Sequence, residues 1–138
     1  MSVRKIAFAF FASILFLVSA CTAFAPAGPT ATPTPISVED PSFLAGLWKG
    51  EYDGSEVIMT FNPDGTIGIT AYGNLQAGTY TLNTGTDPYQ LDIELTDFGT
   101  ITTIILFVDS NTIKIENIYP YDPRPSTFED YFLLTRAQ

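Results

Sequence analysis

Hydrophobic and polar residues alternate along most of the chain after residue 46, and turn-forming residues interrupt the alternation about every ten residues. The segment 89–96, YQLDIELT, is the clearest example, since apolar and polar residues take turns along it. A period of two places successive side chains on opposite faces of a β-strand. The pattern predicts strands with one buried and one solvated face, and no segment after residue 21 shows a helical period.

The spacing of the turns predicts an all-β domain of eight short strands. One turn, Asn62-Pro63-Asp64-Gly65, combines a proline that presets φ with a glycine suited to the left-handed position. Short connections between neighbours favour an antiparallel up-and-down meander, and eight such strands can close into a barrel without exposed edges. An open, strongly curved sheet or a small sandwich is the alternative. The strands are expected at about 46–53, 55–61, 66–72, 77–82, 89–96, 100–108, 112–118 and 128–136.

The N-terminus has the features of a secretion signal. Arg4 and Lys5 precede an apolar segment at Ile6–Val18. This segment is shorter than the roughly 20 residues that a transmembrane helix needs. Residues 1–20 are therefore predicted to be a signal peptide.

The end of this segment, Val18-Ser19-Ala20-Cys21, resembles a bacterial lipobox, and Cys21 is the only cysteine of the chain. The resemblance implies cleavage between Ala20 and Cys21, a diacylglyceryl group on the Cys21 sulfur and a fatty acyl group on the new amine. It also implies a lipid-anchored protein on the extracytoplasmic face of the cell membrane. In a Gram-negative host, Thr22 would permit sorting to the outer membrane. An ordinary signal peptide with a chance cysteine, or an uncleaved anchor, is the alternative.

Residues 21–42 are rich in Pro, Thr and Ala and are predicted to form a disordered, lipid-anchored linker. From Phe43 the composition changes to Ile, Thr, Tyr, Phe and Leu. Residues 43–138 are therefore assigned to a single β-barrel domain with a modest core.

Three short motifs in this domain resemble those of lipocalins and related calycins. Gly46-Leu47-Trp48 matches their GxW motif, and the segments 78–80, GTY, and 133–136, LLTR, resemble small bacterial lipocalin-like domains. The resemblance implies that Arg136 packs over Trp48 and closes one end of the barrel. Eight strands enclose an interior that side chains can just fill. We expect a mostly packed interior with a shallow pocket at one mouth. The side chains expected to point inward and fill the interior are Trp48, Tyr52, Met59, Phe61, Tyr80, Tyr89, Leu91, Ile93, Leu95 and Leu133.

Composition excludes several classes of function. The chain has no His and one Cys, which rules out Ser-His-Asp and Cys-His catalysis and internal disulfides within it. Its 15 Asp and Glu against 6 Lys and Arg give a net charge of −9, which argues against nucleic-acid binding. We expect no enzymatic activity, no metal site, no cofactor besides the lipid on Cys21, and a monomer.

Two regions of the domain are candidates for recognition. The loop 118–128 carries Tyr119, Tyr121 and Arg124, residue types that favour ligand or partner contacts, although its tyrosines could equally cover a barrel end. The strand at 100–108 is apolar on both faces over its second half. Its outer face is expected either to be buried, under a loop or the linker, or to form a patch that binds a partner. The acidic residues Asp92 and Glu94 are expected on a solvated face, where they mainly confer solubility.

The sequence therefore favours a membrane-tethered, non-enzymatic binding module for a small hydrophobic or amphipathic ligand. The alternative is a structural or protein-interaction lipoprotein of the cell envelope with a packed barrel. A cavity larger than about 300 Å³ would favour a small ligand. A filled interior with an exposed apolar patch would favour a protein partner.

Overall fold

A computed structural model of the chain describes residues 35–117 and 119–138. Within them, eight antiparallel strands form a closed up-and-down barrel in chain order, which confirms the predicted fold class. A short 3-10 helix, η1, precedes the strands at Pro41–Leu44. The strands are β1 Gly46–Tyr52, β2 Ser55–Phe61, β3 Thr66–Ala71, β4 Asn74–Asn83, β5 Tyr89–Leu95, β6 Gly99–Asp109, β7 Thr112–Glu116 and β8 Tyr131–Arg136.

The barrel closes because β8 pairs with β1 through Trp48↔Arg136, Lys49↔Thr135 and Gly50↔Leu134. Every strand therefore has two hydrogen-bonded neighbours, and no strand edge is left open for pairing with another chain. The barrel contains its own core, so we expect residues 35–138 to fold independently of the upstream chain. No helix in the described part of the chain is long and apolar enough to cross a bilayer.

One end of the barrel is closed by Trp48 and the residues around it. The Trp48 ring is fully buried, and its Nε1 donates a 2.8 Å hydrogen bond to the Leu44 carbonyl of η1. The Arg136 guanidinium lies 4.1 Å from the Trp48 ring centre and donates to the carbonyls of Phe43 and Ala45, each at 2.7 Å. One side chain of the last strand thus contacts both the first strand and η1. We call this end of the barrel the closed end.

The packed region begins upstream of Phe43, the residue at which the sequence analysis placed the domain boundary. The Ile36 amide donates to the Phe107 carbonyl at 3.1 Å, and the Val38 amide donates to the Tyr89 hydroxyl at 2.8 Å. Val38 is only 7% exposed and belongs to the hydrophobic core. The last residues of the predicted linker therefore lie against the closed end of the barrel.

The two consecutive leucines of β8 face opposite sides of the barrel wall. We expected Leu133 in the interior, but it is 50% exposed, whereas Leu134 is 1% exposed. Gly50, the strand partner of Leu134, has no side chain, and a Cβ there would clash with the Leu133 carbonyl oxygen and lie 2.8 Å from the Leu134 side chain. The missing side chain of Gly50 therefore makes room for Leu134 in the core.

The turn between β3 and β4 is tighter than the sequence suggested, so β4 begins at Asn74 rather than near residue 77. Tyr72 and Gly73 have φ values of 51° and 75°, which fits the two-residue type I′ turn that joins twisted strands. A tyrosine is rare in the left-handed region, so the sequence did not indicate this turn.

We expect the Arg136→Ala variant to lose about 2–4 kcal/mol of unfolding free energy, because two carbonyls lose a charged donor and Trp48 loses its covering cation. The measurement is urea denaturation followed by fluorescence of Trp48, the only tryptophan of the chain. Lys49→Ala removes an exposed cation from the outside of β1 and should change stability by less than about 0.5 kcal/mol. Equal losses in the two variants would contradict the role given to Arg136.

Candidate functional site

The end opposite Trp48 is open and contains a cavity of about 330 Å³ inside the barrel. The turns β1–β2, β3–β4 and β5–β6 and the long β7–β8 loop surround this opening, which we call the mouth. At two inward positions near the mouth, the small side chain of Ala71 leaves space and Gln76 gives the cavity wall a polar group. The closed end, by contrast, is filled by Trp48, Phe61 and Phe107.

The wall of the cavity is mainly aliphatic, and aromatic side chains stand at its opening. Met59, Ile69 and Ile101 contribute to the wall. Tyr72, Phe98 and Tyr119 line the same cavity but are 58%, 47% and 73% exposed. An apolar interior with partly solvated aromatics at its entrance suits a molecule that has an apolar body.

A hydrogen-bonded cluster joins the barrel wall to the β7–β8 loop beside the mouth. The Tyr52 hydroxyl donates to the Asp130 carboxylate at 2.6 Å, and the Asn117 amide donates to the Tyr52 oxygen at 2.8 Å. The Tyr52 ring packs on Phe132 with 4.8 Å between ring centres. The bond to Asp130 raises the pKa of Tyr52 above its ordinary value, and desolvation adds to the shift.

Glu116 is the only buried acidic residue among those the structure describes, with 6% exposure. Its two carboxylate oxygens accept hydrogen bonds from the backbone amides of Glu129 and Asp130, at 2.9 and 3.0 Å. Both oxygens therefore have donors in the β7–β8 loop. This arrangement fixes the loop beside the mouth.

The structure does not bring the three candidate contact residues of this loop together. Tyr119 lies at the mouth. Tyr121 is 84% exposed, and its hydroxyl lies over Gly99 at the start of β6. Arg124 lies on the outer wall, where it forms an ion pair with Asp92 and donates to the Thr103 carbonyl at 2.6 Å.

The Arg124 contacts change the interpretation of two sequence features. Asp92 lies on the outer face of β5 as expected, but it binds an arginine and so does more than confer solubility. The loop also runs along the outside of β6, where the Tyr121 amide donates to the Thr100 carbonyl at 3.2 Å. Of the three coverings considered for this strand, two are observed: the loop lies beside Ile104, which is only 2% exposed, and linker residue Ile36 bonds to Phe107 near the end of the strand.

A second concavity of about 480 Å³ lies outside the barrel, between residues 35–37 and the β4–β5 loop. It is more open than the mouth cavity and is lined largely by polar loop residues such as Thr84 and Thr86. It also borders chain that the structure does not describe. We therefore place the candidate site in the mouth cavity, although this second concavity on the outside of the barrel is larger.

Sequence reasoning missed most of the residues that form this site. Ala71 and Gln76 differ from the bulky residues at other inward positions, and this contrast is the signal that could have located the cavity. Tyr72 and Phe98 lie in turns, so the alternation along the strands did not place them at the cavity. Ala20 and Cys21, the predicted cleavage and lipidation positions, lie outside the described residues.

Comparisons of the chain with models of protein families, with curated proteins and with solved structures found no match.

We expect the unfolding free energy to fall at alkaline pH as Tyr52 loses its proton. Because its pKa is raised in the folded state, the folded protein keeps this proton at a pH where the unfolded chain, with a pKa near 10, releases it. The stabilisation is complete below about pH 10 and is lost as the pH rises through the pKa of the folded state. The measurement is urea denaturation between pH 7 and 11.

Tyr52→Phe should make this alkaline decline shallower. Burial also raises the pKa of Tyr80, with a smaller effect of Asp64, so part of the decline should remain. Tyr121→Phe, at a side chain that is 84% exposed, is the matched control and should keep the wild-type slope. A wild-type slope in Tyr52→Phe would show that the Asp130 bond does not contribute.

Proposed function

We propose that the protein is a membrane-tethered, extracytoplasmic lipoprotein whose barrel binds a small hydrophobic or amphipathic molecule without chemical conversion. The observation that carries the proposal is the mouth cavity of about 330 Å³, with its aliphatic wall and aromatic entrance. Binding pockets for small molecules are concave, mostly apolar and about 300–1,000 Å³ in volume. This cavity is at the lower end of that range.

The volume limits the size of the ligand. At about 30 Å³ per water molecule, the cavity has room for on the order of ten waters, or a similar number of carbon atoms. A ligand of this size would leave its polar end at the mouth. There the uncharged side chains Asn74 and Asn117 offer hydrogen bonds.

The closed end supports a lipocalin-like interpretation of the barrel. Lipocalins resemble this chain in the GxW motif of the first strand and in a basic residue that covers its tryptophan. Here Arg136 lies over Trp48 at 4.1 Å. In such a barrel a rigid closed end supports a ligand site inside the opposite end.

Binding without catalysis is favoured by how the acidic groups near the cavity are used. A catalytic carboxylate needs to be free to exchange a proton with a substrate. Glu116 instead accepts two backbone hydrogen bonds, and Asp130 accepts one from Tyr52. These carboxylates are occupied in holding the β7–β8 loop.

The membrane tether is supported by the lipobox-like sequence that ends at Cys21 and by the basic and apolar segments before it. Diacylglyceryl and acyl chains on one residue anchor stably, whereas a single chain binds membranes only marginally. The barrel is then a monomeric module held at the outer face of the membrane.

Filling the cavity should abolish ligand binding. Ala71→Phe places a ring in the cavity, so the barrel fragment, residues 35–138, should lose at least about tenfold in affinity for the uncharged fluorescent probe 1-aminonaphthalene, whose size matches the capacity of the cavity. The matched control is Thr70→Phe, which adds the same ring to the outer face of the same strand and should bind like the wild type. Fluorescence titration measures affinity, and thermal melting shows that both variants are folded.

Failure of the folded wild-type fragment to bind this probe and 1-decanol would count against the small-ligand function. Equal binding by the two phenylalanine variants would place the ligand outside the cavity. Either result would favour the alternative of a protein-interaction lipoprotein.

Lipidation predicts a chain of defined mass in a bacterial host. The wild type should lack residues 1–20 and incorporate an alkyne analogue of palmitate, whereas Cys21→Ser should carry no label and keep residues 1–20, because the sulfur that is modified before cleavage is absent. Intact-mass spectrometry and click labelling measure both properties. A labelled Cys21→Ser chain, or a wild type that keeps residues 1–20, would contradict the proposed anchor.

A further inference from the structure

The basic side chains of the described residues all lie away from the mouth cavity. Arg136 covers Trp48 at the closed end, and Arg124 is paired with Asp92 on the outer wall. The Lys114 Nζ lies 3.7 Å from the Tyr131 ring centre on the outside of β7 and β8. Lys49 is exposed on the outer face of β1. No lysine or arginine lines the cavity, so an anionic ligand would find no counter-ion there.

The connections around the mouth carry several acidic residues. Asp53 lies in the β1–β2 turn, Asp97 lies in the β5–β6 turn, and Asp130, which is bonded to Tyr52 beside the mouth, lies in the β7–β8 loop. All three are exposed. Together they give the entrance a negative potential, which attracts cations and repels anions over a distance set by the ionic strength.

The aromatic residues of the entrance complement a cation as well. Tyr72, Phe98 and Tyr119 line the cavity and remain partly exposed, so a head group at the mouth meets aromatic rings. The faces of such rings attract ammonium groups, and aromatic sites that bind quaternary ammonium ions use this attraction.

We propose that the mouth cavity selects a cationic amphiphile, with its alkyl chain inside the barrel and its ammonium head at the acidic, aromatic entrance. This inference rests on the proposed function, because it assumes that the cavity is occupied by a ligand. It specifies the charge of the ligand, which the volume and the apolar wall of the cavity do not determine. A fatty acid of the same chain length would place its carboxylate among the aspartates.

The test compares three ligands that share a ten-carbon chain and differ in the head group: decyltrimethylammonium, 1-decanol and decanoate. Calorimetric titration of the barrel fragment, with each ligand below its micelle concentration, gives the affinities. At low ionic strength the ammonium should bind at least about tenfold more tightly than decanoate, with 1-decanol between them. The ratio should shrink as salt is added, because the entrance charges are exposed.

Two double variants with the same net charge separate the entrance from the overall acidity of the chain. Asp53→Asn with Asp97→Asn neutralises the mouth, and asparagine tolerates the positive φ of residue 53. Glu39→Gln with Asp109→Asn removes two exposed or half-exposed acids from the other end of the domain. The first variant should reduce the preference for the ammonium to about threefold or less, and the second should keep at least about two thirds of the wild-type preference. Ala71→Phe should remove binding of the ammonium and so exclude attachment to the outer surface.

The outcomes distinguish this inference from the function on which it rests. If no ten-carbon ligand binds, the proposed function fails and the inference fails with it. If decanoate binds as tightly as the ammonium or more tightly, the cavity is a ligand site but its charge preference has been assigned wrongly. If the two double variants reduce the preference equally, the entrance does not set the selectivity, and the inference is again overturned.

Discussion

The barrel depends on the contact between its first and last strands. β1 and β8 meet through three residue pairs, fewer than any other neighbouring strands share. At the end of this seam Arg136 adds two hydrogen bonds to carbonyls of the segment before β1 and covers Trp48. Without this seam the meander would have two open edges, each a template for pairing with another chain. A single arginine thus secures the closure, the tryptophan and η1 together.

The two ends of the barrel differ in how completely their interiors are packed. Large rings and the buried Leu44 fill the closed end, where packing is complete. Toward the mouth, the small side chain of Ala71 leaves part of the interior unfilled, and cavities of this kind reduce stability by removing packing contacts. The well-packed closed end therefore stabilises a barrel whose core is left partly unfilled near the mouth. Such a division is typical of binding sites that are built on a rigid scaffold.

The sequence predicted the barrel because most strands alternate strictly and most turns contain glycine, proline or aspartate. It placed Leu133 wrongly because two adjacent leucines satisfy either register, and the choice depends on β1, where Gly50 leaves space for Leu134 and Trp48 is covered by Arg136. It did not predict the turn at Tyr72, because a tyrosine in the left-handed region depends on its tertiary surroundings. The pairing of Arg124 with Asp92 joins residues 32 positions apart, and local patterns do not contain such a contact. The cavity was the least predictable feature, because it is the interior space that the side chains of several strands leave unfilled.

The anchoring of the β7–β8 loop bears on how a ligand would be bound. Glu116 holds the loop through two backbone amides, Arg124 fixes it to the outer wall, and Asp130 connects it to Tyr52. A mouth held in this way would be formed before any ligand arrived, so little affinity would be lost in ordering the loop. Residues 36–38, by contrast, join the barrel at the closed end, through Phe107 and Tyr89. Residues 36–38 and the mouth are therefore at opposite ends of the barrel, so a change in the segment before β1 need not alter the mouth.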